Sequence, residues 1–190
     1  MTVKRTRKTR ETEVRVSLSL SGKPGKICTG VGFLDHMLEL FSYHSGLGLS
    51  VEATGDLHVD AHHTVEDVGI TLGETLSEAL GDRMGIFRYG EATIPMEEAL
   101  AQVVVDLARR PFFRFEGRFP TERVGTFDLE LVPEFLKALA MNGAFTLHAR
   151  LLYGENAHHM AEALFKALAY ALRRALTPTP EGPRSTKGVL

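Results

Sequence analysis

The pattern His-His-x-x-Glu occurs twice in this chain, as His62-His63-Thr64-Val65-Glu66 and as His158-His159-Met160-Ala161-Glu162. Each copy opens a stretch with the apolar spacing of a helix. Setting one copy on the other also superposes Leu49-Ser50-Val51-Glu52-Ala53 on Phe145-Thr146-Leu147-His148-Ala149. The surrounding order repeats as well. In the first half, Glu13 to Leu20 alternates as a half-buried strand, and the turn residues Ser21 to Gly25 predict a hairpin into a short strand at Ile27 to Thr29. Phe33 to Ser45 has helical spacing, Leu47 to Ala53 alternates again, and Thr64 to Leu80 is a second helix closed by Gly81. The second half reads as strands at Ala99 to Leu107 and Phe112 to Glu116, a helix at Leu129 to Ala140, a strand at Ala144 to Leu152 and a helix at Ala157 to Leu176.

A duplicated chain of this size has few ways to fold. Two halves of roughly 95 residues are too small to be stable separately, so they must share a core. The expectation is one α+β unit made of duplicated half-domains, with two mixed four-stranded sheets enclosing a layer of helices. Residues 1–90 form the first half-repeat with an N-terminal arm, 91–176 the second, and 177–190 a tail.

Three segments stand outside the repeat. Lys4, Arg5, Arg7, Lys8 and Arg10 make a basic arm that reads as a solvated, frayed terminus. Thr177-Pro178-Thr179-Pro180-Glu181-Gly182-Pro183 reads as a mobile tail leading to the donor-rich Arg184-Ser185-Thr186-Lys187-Gly188. The third lies between the halves and holds Arg83, Arg88 and Tyr89.

Charge excludes some partners. Lys and Arg total 22 against 24 for Asp and Glu, which leaves no global electrostatic case for nucleic acid or a membrane surface. The single cysteine, Cys28, cannot form an internal disulfide and reads as a small packed residue. The basic start lacks the apolar core of a signal peptide, and no run approaches the roughly 18 apolar residues of a membrane helix. A reducing, cytoplasmic location is expected.

Histidine is where chemistry enters. Five of the 8 lie between His36 and His63 and the other three between His148 and His159. On a helix, positions four apart share a face and adjacent positions diverge by about 100°. His62 and Glu66 can therefore approach one ion while His63 points elsewhere, and the same holds for His158 and Glu162 against His159. Each motif suits ligation of two ions. Imidazole with carboxylate is a ligand set for Mn, Fe, Co, Ni or Zn, and no cysteine is available for a closed structural zinc site. His36 and His148 are the candidates to fill the shells, whereas His44 and His58 suit substrate contacts or the surface. The carboxylate lies outside the histidine pair, unlike the zincin pattern, and no Walker loop or Gly-x-Ser-x-Gly is present.

Gly32-Phe33-Leu34-Asp35-His36-Met37, Asp60-Ala61-His62-His63-Thr64-Val65-Glu66-Asp67 and Asn156-Ala157-His158-His159-Met160-Ala161-Glu162 together resemble the signature blocks of the imidazoleglycerol-phosphate dehydratases of histidine biosynthesis. The likeness runs from Arg7 to Gly188. It implies a ribosomal protein S5 domain 2-like fold and a metal-dependent hydro-lyase. Such an enzyme eliminates water from imidazole glycerol phosphate to give imidazole acetol phosphate, through an imidazolate and a diazafulvene-like intermediate.

The resemblance also implies roles residue by residue. His36, His62, His63, Glu66, His148, His158, His159 and Glu162 match the metal ligands of a two-manganese site. Our division gives one ion His36, His63, His158 and Glu162, and the other His62, Glu66, His148 and His159. Glu11 matches the substrate-facing carboxylate and is the expected proton-transfer group. Arg88, Arg110, Ser185, Thr186 and Lys187 match phosphate-binding groups, with His44 as a further substrate contact. The family's homo-oligomer of 24 subunits, with sites shared between neighbours, is the expected assembly. Two other readings stay open on the residues alone: a dinuclear phosphatase acting on a small phosphate ester, and a metal-stabilised module whose basic arm holds nucleic acid.

Overall fold

A computed structural model of the chain describes residues 1–179. The first half runs β1 (Thr2–Lys8), β2 (Thr12–Ser19), β3 (Ile27–Cys28), α1 (Gly32–Ser45), β4 (Gly48–Gly55) and α2 (His62–Leu80). The second runs β5 (Tyr89–Met96), β6 (Ala99–Asp106), β7 (Phe112–Glu116), the small hairpin β8 (Arg123–Val124) and β9 (Phe127–Asp128), α3 (Leu131–Asn142), β10 (Thr146–Tyr153) and α4 (Ala157–Ala175). The sheets have the orders β1-β2-β4-β3 and β5-β6-β10-β7. In each, two antiparallel pairings are followed by one parallel pairing at the far edge. The two halves share one topology, so the chain is an α+β duplication.

One face of each sheet is apolar and turned toward the helices. Val14, Val16 and Leu18 of β2 and Leu49 and Val51 of β4 are buried there, as are Ala101, Val103 and Val105 of β6 and Leu147 and Ala149 of β10. Period-two alternation makes this possible, because successive side chains leave a strand on opposite faces. Helix α2 lies on β1 and β2 and also packs on α3, while α4 lies on β5 and β6 and also packs on α1. A helix of each half thus meets a helix of the other, which is how two small repeats come to share a core. The approach is close enough to require glycine: a Cβ on Gly73 of α2 would sit 2.6 Å from the Leu139 carbonyl oxygen of α3.

Arg83 ties the halves together beyond the helices. It is 1% exposed and donates to the carbonyls of Leu107, Gly143 and Ala144 and to Ser77 Oγ. Burial lowers its pKa to about 10, which still leaves the guanidinium charged at neutral pH.

Several expectations are corrected. The basic arm is a strand: β1 pairs with β2 along its length, Arg5 reaches Glu74 and Glu78, and Arg7 reaches Asp67. It was hidden in the sequence because the inward positions Arg5 and Arg7 meet carboxylates of α2 where an apolar residue would ordinarily signal a strand. The expected hairpin from β2 into β3 does not form, since β3 pairs parallel with β4. The segment after Arg88 contributes β5, whose inward positions Gly90 and Ala92 are small. A Cβ on Gly90 would meet the Ala171 carbonyl oxygen at 1.8 Å, so α4 leaves no room for the large residues that mark a strand. Cys28 is exposed, not packed. Of the expected tail, Thr177 and Thr179 exchange backbone hydrogen bonds with Phe87 and Gly85, and 180–190 lie outside the described residues. Among the described residues no helix is long and apolar enough to cross a membrane.

Candidate metal centre

Both His-His-x-x-Glu motifs start a helix directly after a strand of their own sheet. At α4 the Asn156 side chain accepts from the backbone N–H groups of His158 and His159 and fixes the helix start. At α2 Asp60 accepts from the His62 N–H. The motif residues are therefore held on rigid first turns.

Three expected ligands of one ion come together. His36 of α1 and His158 of α4 place Nε2 at 3.0 and 3.1 Å from the same oxygen, Oε1 of Glu162. The pairing of α1 with α4 brings these residues together from opposite halves. Burial alone would raise the Glu162 carboxyl, but hydrogen bonds from Lys166 and His36 outweigh it and hold the pKa at about 2. Lys166 sits 2.7 Å from the other oxygen, Oε2. The cluster opens on a cleft of about 750 Å³, bounded by Phe33, Asp60 and the β8–β9 hairpin. Two imidazole nitrogens and an ionised carboxylate oxygen converging beside an open cleft suit a borderline divalent ion such as manganese, so this part of the site fits a metal.

The remaining expected ligands lie apart within one chain. His63 stands with Asp56 and Glu11, its Nδ1 at 2.9 Å from Asp56 and 3.6 Å from Glu11. His159 has Nδ1 at 2.8 Å from Glu98. His62 and Glu66 share the first turn of α2, but no third ligand joins them among the described residues. His148 leaves β10 on the face away from the helices, between the inward-facing Leu147 and Ala149, with its ring 5.4 Å from Phe112.

The phosphate candidates form a second cluster. Arg88 and Arg110 both reach Asp106, at 2.9 and 3.2 Å. Among the described residues, the two guanidiniums share this one carboxylate. Asp106 pairs with Tyr89 at one end of β5 and β6, whereas Met96 and Ala99 close the other end, next to Glu98 and His159. The two clusters are thus separated by about eight residues of strand, or ~25 Å. His148 lies at the arginine end, two positions from the pair formed by Thr146 with Asp106. His44, on the last turn of α1, rests against Tyr170, and burial followed by the charge of Lys166 lowers its pKa. Ser185, Thr186 and Lys187 lie outside the described residues.

Comparison with known proteins decides the family. The family described as imidazoleglycerol-phosphate dehydratase matches residues 29–172. The chain belongs to the imidazoleglycerol-phosphate dehydratase family. An imidazoleglycerol-phosphate dehydratase of Limosilactobacillus fermentum is 56% identical over 187 residues, covering 97% of this chain and 96% of the relative. One from Geobacillus kaustophilus is 54% identical over the same shares. The crystal structure of imidazoleglycerol-phosphate dehydratase from Staphylococcus aureus matches with a TM-score of 0.87 at 46% identity, covering 94% of this chain and all of that one. A Pyrococcus furiosus structure, in complex with (S)-C348, has a TM-score of 0.86 at 41% identity, covering 98% of this chain and all of that one. As a member of the dehydratase family the chain carries the duplicated fold that its sequence predicts.

Sequence reasoning missed Asp56, Glu98 and Lys166. Lys166 was legible, because it stands four residues from Glu162 on one helix face. Asp56 is seven positions from His63 and Glu98 is sixty-one from His159, so no local spacing announces either.

Proposed function

We propose that this chain is a metal-dependent imidazoleglycerol-phosphate dehydratase of histidine biosynthesis, a hydro-lyase converting imidazole glycerol phosphate to imidazole acetol phosphate in the cytosol. The observation that carries the metal reading is the convergence of His36, His158 and Glu162 from opposite halves of the duplication. His63 would complete that ion, and His62, Glu66, His148 and His159 would hold a second, with manganese the expected metal. Two such ions would lower the proton affinity of a bound imidazole and so assist loss of hydroxide from the adjacent carbon.

The rest is done by the chain. The substrate hydrogen to be removed has no carbonyl beside it, so a positioned base is needed. Glu11 is that base. It sits at the turn into β2, exposed, with a carboxylate oxygen 3.6 Å from His63 and therefore beside a ligand position. Arg88 and Arg110 bind the phosphate, where guanidinium forks match its oxygens. Ser185, Thr186 and Lys187 add donors there.

No small substrate spans the ~25 Å between these arginines and His159 in one chain. A second copy must therefore bring its arginine end, with His148, to the His36–His158–Glu162 cluster of the first. The family's 24-subunit assembly is the arrangement we propose.

Incubation of imidazole glycerol phosphate with manganese-loaded protein tests the reading. The expected product is an enolisable ketone with its phosphate retained. Release of free phosphate without that ketone would identify a phosphatase instead. Salt-sensitive retention of nucleic acid with no turnover would identify a binding module.

A further inference from the structure

The second histidine of each motif is held by a carboxylate at Nδ1. His63 meets Asp56 at 2.9 Å and His159 meets Glu98 at 2.8 Å. An ionised carboxylate can only accept, so the imidazole proton lies on Nδ1 and the lone pair on Nε2. Histidines that bind metals ordinarily donate their other ring N–H in this way, which fixes ring and tautomer together.

The two carboxylates come from different places in the repeat. Glu98 is the residue just before β6, and its counterpart just before β2 is Glu11. In the second half the connection from β10 to α4 is only 154–156, and Glu98 reaches across it. It accepts from the Glu155 and Asn156 N–H groups as well as from His159. In the first half the connection from β4 to α2 is the longer 56–61, and its first residue, Asp56, takes the histidine. Glu11 is thereby left at 3.6 Å from His63, outside hydrogen-bond range.

We propose that Asp56 and Glu98 are positioning residues that hold His63 and His159 as Nδ1–H tautomers with Nε2 presented to an ion, and that the longer loop 56–61 is what frees Glu11 for the substrate. One turn carboxylate of the duplication orients a ligand, while its counterpart has been relieved of that task. The proposal rests on the metal reading above, but the tautomers themselves do not require an ion.

Nitrogen-15 spectra of the metal-free protein near pH 9, where imidazole is neutral, read the tautomers directly. Nε2 of His63 and His159 is expected at the shift of an unprotonated nitrogen. Glu98→Ala should convert His159 alone to a tautomer mixture, and Asp56→Ala should do so for His63 alone. Each should weaken one class of manganese site by about 10–100-fold. Glu98→Asp, which keeps two accepting oxygens for Nδ1 and for the backbone donors that Oε2 and Oε1 of Glu98 now serve, should restore part of that affinity. Protonated Nε2 in the wild type, or alanine variants with unchanged tautomers and manganese affinity, would overturn the proposal. A wild type that binds no manganese sinks the metal reading instead, and the tautomer result then decides the positioning by itself.

Discussion

Oε1 of Glu162 on α4 lies 3.0 Å from Nε2 of His36 on α1, across 126 positions of sequence. The contact exists because α1 of the first half packs on α4 of the second. It makes Glu162 the shared anion of two histidines, with Lys166 balancing its other oxygen.

Glu162→Gln should therefore remove about one manganese per chain, because a neutral amide is a much poorer ligand than a carboxylate. Metal analysis after dialysis checks this, and undiminished manganese would refute the assignment.

In metal-free protein the same residue has a pH signature. Folded Glu162 titrates at about 2 against an ordinary value of 4.5. Its depressed pKa contributes stability that is fully present above about pH 4.5 and is lost as pH falls toward 2. Denaturation measured across that window should show a shallower acid loss in Glu162→Gln than in the wild type. Parallel curves would mean that the carboxylate does not contribute.

Glu11→Gln should lower kcat by about 10²–10⁴-fold, the range for loss of a positioned base. Bound manganese should stay unchanged, because Glu11 stands outside hydrogen-bond range of His63, the nearest proposed ligand. Loss of metal together with activity would assign Glu11 to the ion and not to proton transfer.

His148→Ala should weaken manganese-dependent assembly while leaving the monomer folded. Its side chain leaves the sheet on the outer face, away from the cluster of its own chain. Sedimentation with and without manganese reads this directly. An unchanged assembly with a full metal complement would contradict a site shared between copies.

Arg83→Met should destabilise the chain by ~3 kcal/mol or more. It would strand the carbonyls of Leu107, Gly143 and Ala144, and each unmet buried acceptor costs about 1–3 kcal/mol. Urea denaturation checks the magnitude. A loss under ~1 kcal/mol would show that water replaces the guanidinium.

The duplication was legible because both halves keep their helix and strand periods, as in α2 and α4 or β4 and β10. Strands whose inward face is not large and apolar were not legible. Arg5 and Arg7 of β1 answer the carboxylates of α2, and Gly90 and Ala92 of β5 answer the close backbone of α4. In both cases the partner belongs to another element, so no window along the chain contains the reason.

The same boundary divides the site. The sequence by itself determined the candidate donor types, the two motifs and the sharing of one core, because helical and strand periods and donor chemistry are local properties. Tertiary structure alone decided that His36 meets Glu162, that Arg88 and Arg110 share Asp106 a strand's length from His159, and that Asp56 and Glu98 hold the second histidines. Those relationships depend on which helix faces which and on the length of the loops between strand and helix, and packing of the whole chain sets both.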